Sequence, residues 1–163
     1  MDEKKTAKIS ALVISCIIIS LSLVHISDYS AVGIFKDCGL LRRAIYPFFH
    51  ANFFHAALNA WCLLSLVFFY NLSLCRLAIA YFIAISIPDC CLFYTPTVGI
   101  SGVVFALFGS ISFEVQRKTY YQLWMIAYLV LGFFFPNTNA WIHIYCYFFG
   151  LVAAFFIKPI KIK

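Results

Sequence analysis

Charge is what this sequence has least of. Only 11% of its 163 residues are Asp, Glu, Lys or Arg, and the acidic residues number six. A soluble domain carries about 25% charged and about 45–50% apolar residues, whereas here 64% are hydrophobic and the mean hydropathy is +0.96. So few charges cannot cover so much apolar surface in water, which excludes a water-soluble fold, and the same arithmetic excludes intrinsic disorder. An even set of cysteines is also lacking. There are seven, four of them inside apolar runs, which excludes a disulfide-stapled secreted scaffold. No A-x-A-like cleavage site follows the basic start, so the first apolar run reads as a retained span rather than a signal peptide. Internal repeats and low-complexity linkers are absent, so residues 1–163 read as one domain.

What is abundant is long apolar runs. A spanning helix takes about 20 residues, and the pattern predicts six spans at 9–26, 53–74, 77–94, 101–115, 121–135 and 140–157. The expected fold class is an all-α polytopic membrane protein, a six-helix bundle with one substantial loop at 27–46. Six spans put both termini on one side. Lys4, Lys5, Lys8, Arg76, Arg117, Lys118, Lys158, Lys161 and Lys163 share that side, nine against the three at Lys36, Arg42 and Arg43. The asymmetry predicts a multi-pass protein of the cell (inner) membrane with cytoplasmic termini. Topology and contact with anionic headgroups then account for the net charge of +6, and no nucleic-acid partner is invoked.

Polar groups inside such spans are costly, and each is by default a functional candidate. His50, His55 and His143 lie at or inside apolar segments on the non-cytoplasmic side, and Asn59 follows His55 by one helical turn. The fourth span opens on Gly99-Ile100-Ser101-Gly102. From Ser101 to Glu114 a helix covers roughly 21 Å. Set against a hydrocarbon core of about 30 Å, this recesses Ser101 by about 9 Å from the outer surface. The chain that reaches it, residues 95–99, is then non-helical backbone at membrane depth, tolerated only where protein shields it or a wet cavity receives it. A serine hydroxyl needs a base to become a nucleophile, and neutral imidazole is the usual one. His143 starts the sixth span on the same side, with no acid at its depth, which points to a Ser–His pair without a third carboxylate.

The ordered set H-x4-H-x3-N (His50, His55, Asn59), G-x-S-G-x2-aromatic (Gly99, Ser101, Gly102, Phe105) and H-x6-G (His143, Gly150) resembles the rhomboid intramembrane serine proteases over roughly residues 40–155. The resemblance implies a rhomboid-like bundle with a short, recessed fourth helix. Ser101 would be nucleophile and His143 general base. His55 and Asn59 would join the Ser101 N–H in the oxyanion hole, Phe105 would stack on His143, and His50 would tie the first loop to the second span. It implies a single-span membrane protein as substrate, reached laterally between the second and fifth spans, with loops at 92–99 and 136–140 as a cap. Two departures stand out. The family's Trp-Arg pair in the first loop is Leu41-Arg42 here, and a Gly common three residues after the sixth-span histidine is Cys146.

Other chemistries fit less well. A metal site from His50, His55 and His143 is disfavoured, because histidines five apart lie about 140° apart on a helix whereas zinc-binding helices use i, i+4. No metal or cofactor is therefore expected. A client-binding relative without activity would be expected to have lost the serine or histidine, and a channel would want a mid-span acid or cation. Cys90 and Cys91, awkward partners for one disulfide, read as small apolar residues facing lipid or core.

Overall fold

A computed structural model describes residues 2–135 and 138–157. Among them the chain is all-helical, with seven α-helices and no strand: α1 (Glu3–Ser22), α2 (Leu40–Ile45), α3 (Phe53–Phe69), α4 (Leu74–Ile85), α5 (Ser101–Ile111), α6 (Lys118–Leu131) and α7 (Ala140–Ala154). Six of them fall on the expected spans, and α2 lies in the long loop. The ends differ from the apolar runs because caps and breakers, not hydropathy, set them. α1 begins six residues early, where Asp2 caps the Lys4 N–H and draws the lysine cluster into the helix. α3 stops at Phe69, and Asn71 turns the chain with φ 52°. α4 starts on the Ser73 cap and ends at Ile85, so 86–94 is not helical as the third span had it, and Pro88 precedes a 3-10 turn at Asp89–Cys91.

Among the described residues α1 alone is both long and apolar enough to cross a membrane. A second candidate arises if Leu40–Phe48 and Phe53–Phe69, bent by 87°, are taken as one segment. α4, α5 and α7 are apolar but shorter.

α5 lies at the centre, packed against α7, α4 and α3. It buries every residue except the stripe Ser101, Phe105 and Phe108, spaced one turn apart. α1 lays Ala7, Ala11, Ser15 and Ile18 on the other side of the molecule, chiefly against α3. The α5–α7 contact is backbone on backbone. A Cβ added at Gly150 would stand 2.2 Å from the Ala106 carbonyl oxygen, and one at Gly109 would stand 2.2 Å from that of Tyr147. Small residues at such crossings let helices approach without a hydrophobic driving force. Gly150→Ala is accordingly expected to cost about 1–3 kcal/mol through overpacking. Thermal unfolding in detergent checks this against Gly39→Ala, where an added Cβ meets nothing within 4 Å.

Two loops are clasped together over one end of the bundle. Ile34 and Thr97 exchange both backbone hydrogen bonds at 2.9 Å, and the Lys36 N–H donates to Phe93 O at 2.8 Å. The first loop thereby holds the segment leading to Ser101. α6 is the least embedded of the six longer helices, with Met125 as its one buried residue. Polar bonds tether it near its start: Tyr121 Oη donates to Phe108 O at 2.8 Å, and Gln122 Oε1 accepts from Tyr147 Oη at 2.6 Å.

Candidate active site

The first turn of α5 is presented by a sharp corner. Gly99 has φ +129°, a conformation open to glycine. Its N–H donates to Tyr46 O at 3.2 Å, and the next N–H, of Ile100, donates to His50 Nε2 at 3.3 Å. A Cβ on Gly99 would lie 2.9 Å from the His55 ring, so the absence of a side chain brings that imidazole directly against the corner. Ser101 follows as the first residue of α5. Its N–H belongs to the helix-start donors that have no intrahelical acceptor and that carry the positive end of the helix dipole.

α7 brings His143 to the same place. Its Nε2 lies 2.9 Å from Ser101 Oγ. Phe105, one turn below Ser101, stacks on the imidazole with ring centroids 4.3 Å apart and planes 18° from parallel. The stack fixes one face of the ring, and no carboxylate hydrogen-bonds His143 among the described residues. Gly102 permits this closeness, since a Cβ there would be 3.2 Å from Cys146 Sγ and 3.2 Å from Tyr46 Oη. Cys146, where a glycine was the family expectation, is therefore accommodated by the glycine facing it.

The remaining candidates divide. His55, half-exposed, faces the Gly99 corner beside Ser101. Asn59 is buried, and one of its amide N–H groups donates to the His55 carbonyl at 3.0 Å, which leaves its second N–H for other use. His50 is 3% exposed and binds the start of α5, while its carbonyl accepts from Tyr29 Oη at 3.2 Å. It thus joins the first loop to the Ser101 corner rather than to α3 alone. Burial, reinforced by the neighbouring His55 ring, pushes His50 down to about 4, consistent with a neutral ring that accepts the Ile100 N–H. Its ring and that of His55 meet edge to face at 4.9 Å. Among the described residues no group of three or more His, Cys, Asp or Glu is placed to hold a metal ion.

Three contributors were not read from the pattern. Arg43, rather than Arg42, crosses from the first loop, pairing with Asp89 and donating to Ile87 O. Arg42 instead sits over the Phe35 ring at 5.1 Å. Tyr46, 1% exposed, donates to Ala84 O at 3.0 Å while its carbonyl holds Gly99. Arg76 and Glu114 form a buried pair at 2.8 Å at the far end of α5. A charge two residues inside an apolar helix was the available signal for Arg76. Of the proposed cap loops, 92–99 is described, whereas Pro136 and Asn137 lie outside the described residues. No family model, curated protein or solved structure matches this chain.

Proposed function

We propose that this chain is a six-span intramembrane serine protease of the rhomboid type, cutting single-span membrane proteins near the outer membrane boundary. The observation that carries the reading is the 2.9 Å approach of His143 Nε2 to Ser101 Oγ at a partly buried helix start. His143 takes the hydroxyl proton as Ser101 attacks the scissile carbonyl. The oxyanion is met by the Ser101 N–H, His55 and the second amide N–H of Asn59, donors worth about 2.7–4 kcal/mol each when preorganised. His143 then protonates the leaving amine, and water releases the acyl group.

The membrane frame in this reading takes α1 and α3–α7 as spans. It is supported by outward-facing apolar side chains such as Phe54, 83% exposed, Phe69, 81%, and Phe156, 86%. Apolar exposure on this scale marks a surface made for lipid or a partner. The 11 residues of α5 reach only about 16 Å, about half the hydrocarbon core, which keeps Ser101 recessed. Cytoplasmic termini follow from the basic asymmetry, of which Lys158, Lys161 and Lys163 lie outside the described residues. A cleft of about 630 Å³ beside the C-terminal half of α3, lined by Trp61, Cys62, Ser65, Phe69 and Phe108, meets the Phe108 end of the open stripe of α5.

The test is labelling by a serine-directed fluorophosphonate in detergent micelles, with an active serine protease as control. Wild type should label at Ser101, Ser101→Ala should not, and a single-span reporter should be cut only by wild type. If wild type labels no more than Ser101→Ala, the chain is not a serine hydrolase, and a client-binding role without cleavage takes its place.

A further inference from the structure

Cys90 and Cys91 lie outside every α-helix, in the 3-10 turn Asp89–Cys91 that follows α4. The expected third span would have made them helical, whereas here they sit in a turn: Cys90 is exposed, Cys91 is partly exposed, and their Sγ atoms stand 4.0 Å apart. Across a trans peptide the Cα atoms are held at about 3.8 Å, below the 4.4–6.8 Å or so that disulfides favour. A bond between them is therefore strained, and strained exposed disulfides belong to the easily reduced, regulatory class rather than the structural one.

The turn is wired to the candidate site. Cys91 O accepts from Asn139 Nδ2 at 3.1 Å. Asn139 is the residue that precedes α7, four positions before His143, and its buried Oδ1 has no partner among the described residues. The Cys91 bond is thus its side chain's one hydrogen bond among the described residues. On the other flank Asp89 pairs with Arg43 of the first loop. Closing an eight-membered ring between residues 90 and 91 must rotate the peptide whose neighbouring carbonyl Asn139 holds.

We propose that Cys90 and Cys91 form a thiol–disulfide exchange site for small disulfides of the glutathione class, and that its oxidation loosens the first turn of α7 and with it the placement of His143. The proposal rests on the reading above, in which this turn faces the non-cytoplasmic side, where disulfides persist. The exchange balances. The Cys90 thiolate attacks one sulfur of the small disulfide, forming a mixed disulfide and expelling one thiolate. The Cys91 thiolate then attacks Cys90 Sγ, forming the Cys90–Cys91 bond and expelling the second. Two protein thiols are oxidised, one small disulfide is reduced to two thiols, and the two protein protons pass to them.

The experiment treats the full chain in detergent micelles with oxidised glutathione or with dithiothreitol. Peptide mass, amide hydrogen exchange over residues 139–143 and the rate of Ser101 labelling are then measured. Oxidation should remove two hydrogens from the peptide carrying Cys90 and Cys91, speed exchange over 139–143 and slow labelling several-fold. Dithiothreitol should reverse all three; Cys90→Ser should not react, and Cys91→Ser should stop at a glutathione adduct on Cys90 without forming the ring. Two free thiols after oxidation, or a glutathione adduct that stays on Cys90 of the wild type, would overturn the exchange site. A disulfide that forms with exchange over 139–143 unchanged would overturn the coupling. Faster exchange in a protein whose serine never labels would sink the protease reading and leave the thiol site standing.

Discussion

His143→Ala is expected to slow acylation of Ser101 by about 10²–10⁴-fold, the usual contribution of a positioned general base. The loss should appear in the second-order rate constant for fluorophosphonate labelling, with the fold intact. Among the described residues the imidazole makes its one side-chain hydrogen bond to Ser101 Oγ and otherwise stacks on Phe105, so its removal should take away the expected proton acceptor without breaking a structural network. Because the two residues act as a unit, Ser101→Ala combined with His143→Ala should be no slower than Ser101→Ala alone. Phe105→Leu should retain part of the rate, since it removes the platform and leaves the base. If His143→Ala labels as fast as wild type, Ser101 is activated by something other than the imidazole at 2.9 Å, and the pair loses its assignment.

The candidate site was more legible than the frame around it, for a physical reason. Ser101, His143, His55 and Asn59 are polar residues in apolar runs, so each stands out against its own neighbours without knowledge of the fold. Motif spacing then placed His55 with Asn59 and Ser101 with Phe105 on common helix faces. What spacing could not supply was the commitment of each polar group. His50 turns to the Ile100 N–H, and Asn59 spends one N–H on its own helix, because those outcomes depend on how residues 46–50 meet residues 99–100 in space.

Helix type was legible and helix length was not. Apolar runs extend through residues 86–94, where Pro88 and a 3-10 turn end the helical bonding although the side chains stay hydrophobic. Hydropathy reports the medium a side chain prefers, and backbone capping decides where the helix stops. The pairing of Ile34 with Thr97 was equally out of reach, since it joins two loops more than sixty positions apart. Arg43 was visible as a charge in the first loop and Asp89 as one near the end of the expected third span, but not as partners, because the closeness of residues 43 and 89 is a product of the bundle.

Breaking the Arg76–Glu114 pair should be the most damaging change to stability. Glu114→Gln is expected to cost about 3–5 kcal/mol, the range for removing one partner of a buried ion pair. The Arg76 side chain is 1% exposed and that of Glu114 9%, so the charge left behind cannot recover its hydration. The guanidinium also donates from Nη1 to Ser110 O at 2.6 Å, at the C-terminal end of α5 where a cation meets the negative end of the helix dipole. The pair thus clamps α4 to the end of α5 opposite Ser101. Replacing both partners by apolar residues, Arg76→Met with Glu114→Met, should restore most of the loss, because neither charge of the pair is then left buried without the other. Thermal midpoints in detergent, followed by intrinsic tryptophan fluorescence, give the cycle. Single variants within about 0.5 kcal/mol of wild type would place the pair among ordinary surface substitutions. The same variants separate stability from chemistry. α5 carries Ser101 at one end and this clamp at the other, so a slipped clamp shifts Ser101 relative to His143. Glu114→Gln should therefore slow labelling even at temperatures where it stays folded, and the double variant should recover the rate along with the midpoint.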